Sequence, residues 1–400
     1  MMIVFLSAVK IETKPDFRIR TITAGVSLSS ISDTTSIVNA IIFLNESKQE
    51  FQELGYEVQT IRISTNSLHQ IINKSPDAET IIHLKKIDQI AKRENVSLSI
   101  GEIVKGNHYD SKLVDWVIQL NNETTNISYS IPISSQSNGI HEKSIKSAAE
   151  ICQALSNNSQ GGEANFRFTA SANCPAGIPF FPAAFHEGPN SFAIGLESPN
   201  LLTKVFINSN WQNAESNLKK ELELQLKPVE EIATKISSST KWKYDGIDTS
   251  PAPGLDASIG QAIETLTGKP FGNSTTLSAC SIITSALKNI DIKKCGYSGL
   301  MLPVIEDKVL AKRVIENRYS VEELLLFSSV SGTGLDVVPI PGNTSIEVIE
   351  GIYRDVAALS LKYNKKALSV RLFPIPDKEA GELVEFDNPY LTSSIVMELK

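Results

Sequence analysis

The 400-residue sequence has few cysteines, and their spacing is not that of a metal site or a redox motif. Cys152, Cys174, Cys280 and Cys295 are far apart, and no two of them form a Cys-x-x-Cys pair. A zinc ribbon or a thioredoxin-type motif needs such a pair, so neither is predicted. Four cysteines in a chain of this length do not make a disulfide framework either.

The sequence also lacks an excess of positive charge and a long apolar run. A formal net charge of -7 and a pI near 5.5 argue against a nucleic-acid-binding protein with a broad basic field. No apolar stretch reaches the ~20 residues that a membrane span requires. The apolar residues 1–8 have no basic region before them and Lys10 follows closely, which is not typical of a signal peptide. We therefore expect a cytoplasmic protein with no nucleic-acid partner and no membrane partner.

Strand and helix patterns alternate along the chain. Alternating apolar and polar residues predict a strand over residues 17–23, after which Asp33 is expected to cap a helix that ends near Gly55. Repeated alternation of this kind predicts an α/β fold with a largely parallel sheet or barrel covered by helices. The other predicted helices cover about 78–94, 141–156, 213–238, 255–267, 274–288 and 344–362, and the other strands 57–63, 96–101, 165–169, 191–197, 298–304, 335–340 and 368–373.

No change of composition divides the chain cleanly. We predict one large domain over residues 1–400, in two pseudo-halves whose softest boundary lies near residues 157–164. Active sites of parallel α/β folds lie at the carboxyl ends of the strands. This rule predicts that the loops after Thr23, Ile63 and Phe271 share one face with the segment 244–254.

Segment 244–254 has the densest group of turn-forming and charged residues, and its prolines and glycines predict a shaped loop ahead of a helix. Asp245, Asp248 and Asp256 could bind a divalent cation or include a general base. They could equally cap turns and complement the helix dipole. We take Asp248 as a candidate catalytic residue, Asp245 with Asp248 as candidate metal ligands, and Ser250 and Asp256 as candidate substrate contacts.

The apolar, proline-rich loop at residues 174–188 is a second candidate region. It ends in His186 beside Glu187, and a histidine near a carboxylate or in an apolar pocket is suited to proton transfer near neutral pH. Cys174 would be a nucleophile if a positive neighbour lowered its pKa. The alternatives are a buried structural histidine and an unreactive thiol. We take His186, Glu187 and Cys174 as candidate catalytic residues.

Two further features could hold an anion. Ser274 or Thr275 would cap the helix that begins there, and the free N–H groups of a helix start bind carboxylates and phosphates. Arg371 lies inside an apolar strand and could clamp the same groups, with Asp336 as another candidate substrate contact. The alternative for Arg371 is an ion pair with one of three acids, Glu306, Asp307 or Asp336.

At these residues the chain resembles a known family. Segment 243–254 looks like the signature block of the domain-of-unknown-function 711 family, and the other matches follow in the same order along the chain. The matches begin near Phe17 and are specific for the family, although not for a reaction. The other matching segments are 19–23, 185–190, 296–303 and 334–336.

The resemblance implies a fold like that of pyruvate formate-lyase and anaerobic ribonucleotide reductase, a ten-stranded α/β barrel that is largely parallel within each half. Those enzymes carry a glycyl radical in an Arg-Val-x-Gly-type motif near the C-terminus. Here the region begins with Arg371-Leu372-Phe373-Pro374, and Gly381 lies between Ala380 and Glu382. Because this motif is missing, no glycyl radical is expected.

The sequence therefore predicts a non-radical enzyme that acts on a small anionic metabolite, a carboxylate or a phosphate. The expected chemistry is acid–base catalysis in a barrel pocket, as a lyase, hydrolase or isomerase. A metabolite-binding regulatory protein without turnover is the alternative. A divalent cation is the one cofactor left open, and we expect the protein to form a homo-oligomer.

Overall fold

In the computed structural model, which describes residues 14–254, 256–362 and 366–399, the chain forms a ten-stranded sheet with helices packed against it. A separate two-stranded sheet lies near the C-terminus. The strands of the large sheet are β1 (Arg18–Val26), β2 (Val58–Thr65), β3 (Val96–Glu102), β4 (Ile127–Ser135), β5 (Gly139–Ile140), β6 (Phe168–Ala172), β7 (Ser191–Glu197), β8 (Lys243–Pro251), β9 (Gly334–Pro341) and β10 (Leu368–Ile375); the small sheet pairs β11 (Leu383–Val384) with β12 (Ser394–Ile395).

Each of the seven helices predicted from the sequence has a counterpart in the described residues, which contain five further α-helices that were not predicted. Asp33 caps the first helix as predicted, accepting a hydrogen bond from the Ser36 amide. No helix in the described ranges is long and apolar enough to cross a membrane. The helices are α1 (Thr34–Glu53), α2 (Leu68–Ile72), α3 (Ala78–Arg93), α4 (Leu113–Glu123), α5 (Glu142–Asn157), α6 (Pro199–Ile207), α7 (Ala214–Ser239), α8 (Ile259–Thr267), α9 (Thr276–Asn289), α10 (Lys308–Ile315), α11 (Val321–Ser328) and α12 (Ile346–Lys362), with a 3-10 helix at Gln160–Arg167.

The sheet is mostly parallel but reverses direction toward both flanks. Its order is β8-β7-β1-β2-β3-β4-β6-β10-β9, with β5 paired to β4. Neighbours from β1 to β6 along this path are parallel, whereas β7 is antiparallel to β1 and β10 is antiparallel to β6. β8 is parallel to β7, and β9 to β10. The end of β8 therefore lies where β1 and β2 begin, so the prediction that all the candidate loops share one face is wrong.

Segment 244–254 is mostly strand and not the predicted loop. Its glycine and prolines are accommodated because the pairing with β7 is interrupted twice by register shifts, and Gly246 adopts a positive φ of 138°. The following helix begins at Ile259 and is capped by Ser258, so Asp256 precedes the helix and does not lie in its first turn. Leu255, where the helix was expected to start, lies outside the described residues.

The chain between β8 and β9 reaches both edges of the sheet without forming a strand. Lys294 makes an isolated parallel bridge to Ile247, and Pro303 makes another to Asp336. The strand predicted over 298–304 is therefore absent from the described structure. An α/β fold with a large, mostly parallel ten-stranded sheet is confirmed. The sheet is not closed into a barrel by strand pairing among the described residues, and the likeness to pyruvate formate-lyase stays a prediction.

The two faces of the sheet differ. Ile22 and Ala24 of β1 belong to the main hydrophobic core, whereas Thr23, on the alternate face, donates to the Pro179 carbonyl at 2.9 Å. The inner face, as we call the face that carries Thr23, holds a second apolar cluster formed by Ile178, Phe180, Ala252 and Met301.

Residues 174–186 form a loop that occupies one end of the inner face. The Ser99 hydroxyl donates to the Ala184 carbonyl at 2.6 Å. A Cβ at Gly101 would lie 2.6 Å from the Cβ of Phe185, so the loop approaches β3 too closely for another residue there. The tip of the loop, Phe180 and Phe181, reaches a cavity farther along the inner face.

Candidate functional site

A cavity of about 490 Å³ opens beyond the tip of this loop. Strands β1 to β4 form one wall, and residues from the segments around β8, β9 and β10 form the other. The volume is within the usual range for small-molecule sites. We call this cavity the arginine pocket. Its charged lining residues are Arg20, Arg62, Arg167, Arg371, Glu163, Glu306, Asp336 and Asp387.

Arg371 is held by two carboxylates of the pocket. Its Nε donates to Asp336 Oδ1 at 2.5 Å, and its Nη2 donates to Glu306 Oε1 at 2.9 Å. The residue is only 8% exposed. Arg371 therefore forms the structural ion pair given as its alternative, with Glu306 and Asp336. Asp307 instead accepts backbone hydrogen bonds at the starts of α8 and α10.

Arg62 of β2 is the arginine of the pocket that has no direct ion-pair partner among the described residues, and the charge of Glu306 acts on it without contact. It is partly buried, and it forms no ion pair and no hydrogen bond with the part of the chain that the structure describes. Its guanidinium lies 5.2 Å from the centre of the Phe181 ring. Burial, together with the charge of Arg20, lowers the pKa of Arg62 to about 9, so it remains charged at neutral pH. Charges withdrawn from water in proteins are normally paired, which makes this guanidinium a candidate site for an anion.

The other two arginines are occupied by their own chain. Arg20 donates to Gln59 Oε1 at 3.1 Å and lies 3.4 Å from Glu197 Oε2. Arg167 donates to the Asn121 carbonyl at 2.9 Å and to Thr124 Oγ1 at 3.1 Å. Arg62 therefore differs from its neighbours in its partners and not only in its position.

A C-terminal segment, residues 387–390, lies over the pocket. Glu163 accepts a hydrogen bond from the Asp387 amide at 2.6 Å, which fixes the segment to the 3-10 helix. The rings of Phe166 and Tyr390 stack with centroids 6.2 Å apart, and Arg20 lies 5.3 Å from the Tyr390 ring. These contacts leave the pocket bordered by aromatic rings and partly shielded from water.

The backbone next to Asp336 is strained. Val337 has a positive φ of 43°, which is an unusual conformation for a β-branched residue. The pairing of β9 with β10 also shifts register here, between Val370 and Leu372. Such strain persists only where surrounding contacts enforce it, and it is found most often at functional sites.

Glu306 is a buried carboxyl that lines the pocket. Burial raises the pKa of Glu306 even though Arg371 donates to it. A carboxyl with a raised pKa can exchange a proton nearer neutral pH than an exposed one. Glu306 is therefore the candidate for proton transfer in this pocket.

His186 does not reach the arginine pocket and is packed at the loop-filled end of the inner face. Its Nε2 lies 3.1 Å from the Gly188 carbonyl, and its Nδ1 lies 3.5 Å from the Ser191 hydroxyl. A Cβ at Gly25 would lie 2.2 Å from Nδ1, so the ring is in tight contact with β1. Burial lowers the pKa of His186, which favours the neutral ring. This is the arrangement of the buried structural histidine that was its alternative, and its neighbour Glu187 is exposed.

Asp248 is fully buried and accepts hydrogen bonds only from its own chain. Its Oδ1 accepts from the Ser250 hydroxyl at 2.6 Å and from the Ser298 amide at 2.9 Å, and its Oδ2 accepts from the Tyr297 amide at 2.8 Å. A Cβ at Gly296 would lie 2.0 Å from Oδ2, which leaves no room for a ligand there. Asp248 and Ser250 thus hold the connection to β9 against β8.

The described residues include no group of three or more His, Cys, Asp or Glu side chains that could hold a metal ion. Asp245, the other candidate ligand, pairs with Lys243 at 2.9 Å. The geometry gives the metal prediction no support, and a bound cation remains untested.

Cys174 belongs to a polar cluster at the loop-filled end. Its Sγ lies 3.2 Å from the Leu368 carbonyl and 3.8 Å from Tyr297 Oη, which in turn donates to Ser369 Oγ at 3.0 Å. Burial raises the pKa of Cys174 to about 12, so the group stays a thiol at neutral pH. This environment is the opposite of the one that activates a cysteine nucleophile.

The remaining predicted contacts lie apart from the pocket. Asp256 is exposed and pairs with Arg18 at 2.5 Å at the edge of a neighbouring cavity. Ser274 and Thr275 are exposed at the start of α9, and neither lines the arginine pocket. Of the predicted site residues, the structure brings only Asp336 and Arg371 together in this cavity.

Sequence reasoning missed Arg62, Arg20 and Glu306 as site residues. A usable signal was present, because alternation in β2 places Thr60 and Arg62 on the face opposite to Ile61 and Ile63. The argument that singled out Arg371, an arginine within an apolar strand, applies equally to Arg62.

Comparison with known proteins agrees with the resemblance seen in the sequence. The family model described as Uncharacterised ACR (DUF711) matches residues 11–388. Similar proteins include the UPF0210 proteins of Pyrobaculum aerophilum (24% identical over 383 residues, 90% of this chain and 84% of the relative) and Carboxydothermus hydrogenoformans (25% over 426 residues, 98% and 93%). Another is the UPF0210 protein of Thermoanaerobacter sp. (26% over 408 residues, 92% and 88%). These names state no activity, but the family match covers nearly the whole chain, and the protein therefore belongs to the DUF711 family.

Proposed function

We propose that the protein binds a small anionic metabolite, a carboxylate or a phosphate, in the arginine pocket and acts on it by non-radical acid–base chemistry. The observation that carries this proposal is the guanidinium of Arg62, which has no direct ion-pair or hydrogen-bond partner among the described residues and faces a cavity of metabolite size. An anion there would supply the direct partner that the described chain does not. The reaction class, a lyase, hydrolase or isomerase, rests on the sequence prediction.

Each role in this proposal falls to a particular residue. Arg62 would form charge-assisted hydrogen bonds to the anion, and shielding from water would strengthen them. Glu306 would take up or deliver a proton, and Arg371 positions it through the 2.9 Å hydrogen bond to Oε1. Phe180 and Phe181 would contact the apolar part of the ligand.

A regulatory protein that binds the same anion without turnover is the alternative. The observation that favours it is the pairing of both Glu306 and Asp336 with Arg371, which occupies the acids nearest the cavity wall. A carboxylate in an ion pair is a weaker base than a free one.

Binding can be tested by thermal shift and calorimetry with inorganic phosphate and a panel of small carboxylates and phosphate esters. A ligand at 100 times its Kd adds about 2.7 kcal/mol, which raises the unfolding midpoint by about 2–3 °C in a chain of this length. We expect the shift to disappear in Arg62→Gln. It should persist in Arg354→Gln, which removes the same charge from an exposed ion pair with Glu142. A shift that survives Arg62→Gln would contradict the proposed site.

Turnover can be tested by following each binding compound by NMR in deuterated buffer. We expect chemical change or deuterium uptake with the wild-type protein and none with Glu306→Gln, which keeps an acceptor for Arg371. Binding without any change in the wild-type protein would establish the regulatory alternative.

A further inference from the structure

Two serine hydroxyls on the strand wall of the arginine pocket also lack partners. Ser97 of β3 and Ser128 of β4 line the arginine pocket, and neither side chain hydrogen-bonds to the described part of the chain. The Thr60 hydroxyl, by contrast, donates to the Arg20 carbonyl at 2.7 Å. The wall therefore presents free hydroxyls next to the free guanidinium.

The strand register fixes the order of these three groups. Arg62 is directly paired with Ser97, and Ser128 is paired with Ser99, two residues farther along β3. Paired residues on neighbouring strands point to the same face, with strands about 4.8 Å apart. Arg62 and Ser97 are therefore next to each other on this face, and Ser128 lies one strand farther away and two residues along the sheet.

The lengths of the side chains decide how a ligand would lie against the strand wall of the pocket. A serine hydroxyl stays close to its strand, whereas the arginine guanidinium extends well away from the sheet and reaches the Phe181 ring. A bound molecule would place its anionic group outward at Arg62 and its neighbouring atoms against the wall at Ser97, and a longer molecule would extend toward Ser128. Those atoms meet hydroxyls that can both donate and accept hydrogen bonds.

On this basis, and resting on the proposed function, we infer that the ligand is a hydroxylated anion: a carboxylate or phosphate ester with at least one hydroxyl on the carbons next to its anionic group. A plain aliphatic anion that covered this wall would displace water from the serine hydroxyls without offering them a partner, and polar groups left unpaired in this way disfavour binding. Arg62 selects the charge, and the serines select the hydroxyl.

The test compares ligands that differ only in hydroxyl groups. Propionate, lactate and glycerate form the carboxylate series, and propyl phosphate and glycerol 3-phosphate form the phosphate pair. Calorimetry on the full-length protein should give about 2–10-fold tighter binding for each added hydroxyl that finds a partner. The series that binds more tightly identifies the anionic group.

Serine variants assign the preference to residues. Ser97→Ala should remove the advantage of the hydroxylated member without weakening the plain anion, Ser128→Ala should have the smaller effect on these short ligands, and Ser238→Ala on the exposed face of α7 should change neither. Equal wild-type affinity for plain and hydroxylated anions, with both still lost in Arg62→Gln, would overturn the inference and leave the proposed function standing. If no anion in either series binds in an Arg62-dependent way, both fail.

Discussion

The two ends of the inner face use polar residues in different ways. At the loop-filled end, Asp248 and His186 are buried, and their polar atoms contact groups of the same chain. At the arginine pocket, Arg62 faces a cavity with no partner from the described chain. Turn-forming and charged residues are frequent at the loop-filled end because the backbone there adopts irregular conformations that need such residues. A ligand site is indicated instead by a polar group that the fold leaves unsatisfied.

The largest effect on stability should come from removing the hydrogen bonds that Asp248 accepts. Asp248→Ala leaves three amides and the Ser250 hydroxyl without their acceptor, and we expect the free energy of unfolding to fall by about 3–5 kcal/mol. Urea unfolding followed by circular dichroism would measure this loss. Anion affinity of the folded fraction should stay within twofold of wild type. If Asp248→Ala kept normal stability but lost anion binding, Asp248 would be a binding residue and not the structural residue described above.

The arginine pocket should respond in the opposite way. Arg62→Gln removes charge-assisted hydrogen bonds worth about 1.5–3 kcal/mol, so anion affinity should fall about 10–100-fold by calorimetry. Stability should not fall, because the substitution removes an unpaired charge. Arg371→Gln is the matched control: it leaves Asp336 and Glu306 unpaired and should destabilise the protein. Equal destabilisation by both substitutions would show that Arg62 is structurally paired.

A smaller effect concerns the pH dependence of stability at the loop-filled end. Burial, with the nearby charge of Glu187, raises the pKa of Glu102 to about 7 from an ordinary 4.5. The protonated form is favoured in the fold, so this contribution to stability is present below pH 4.5 and is lost as pH rises through 7. We expect the free energy of unfolding to fall by about 1–3 kcal/mol between pH 5 and 8.

Glu102→Gln should flatten that dependence, as measured by urea unfolding at the two pH values. Burial, with a smaller contribution from the charge of Glu102, raises the pKa of Cys174 to about 12, so this thiol does not titrate between pH 5 and 8. An unchanged slope in the Gln variant would mean that Glu102 is ionised in the folded protein at pH 5.

The smallest effect should come from Asp256, which belongs to neither end. Its side chain is 62% exposed in the ion pair with Arg18. Exposed pairs contribute about 0–1 kcal/mol, so Asp256→Asn should change stability by less than 1 kcal/mol and leave anion affinity unchanged. A large loss of affinity, measured on the same ligand panel, would extend the binding site into the neighbouring cavity.

The sequence predicted much of the fold because apolar periodicity acts locally. The strand at β1, the cap at Asp33 and the long helix α7 all lie close to their expected positions. Segment 244–254 was misread because its glycines and prolines are typical of loops, while pairing with β7 and Lys294 holds most of it extended. Pairing of this kind depends on distant residues, which periodicity cannot detect.

The site was predicted less well than the fold for a related reason. The sequence shows which residues can bind or react, but it does not show which of them the fold leaves without partners. Asp248 and Arg62 have equally suitable chemistry, and only the tertiary contacts distinguish them. Arg371 was singled out, and its alternative as a structural ion pair agrees with its contacts to Glu306 and Asp336.

The most direct test of this account is a crystal structure of the protein soaked in selenate, with the anion located by anomalous scattering. The account predicts selenate in the arginine pocket, with an oxygen about 2.7–2.9 Å from a guanidinium nitrogen of Arg62. Ordered selenate at the start of α9 or beside His186, with none in the pocket, would contradict it.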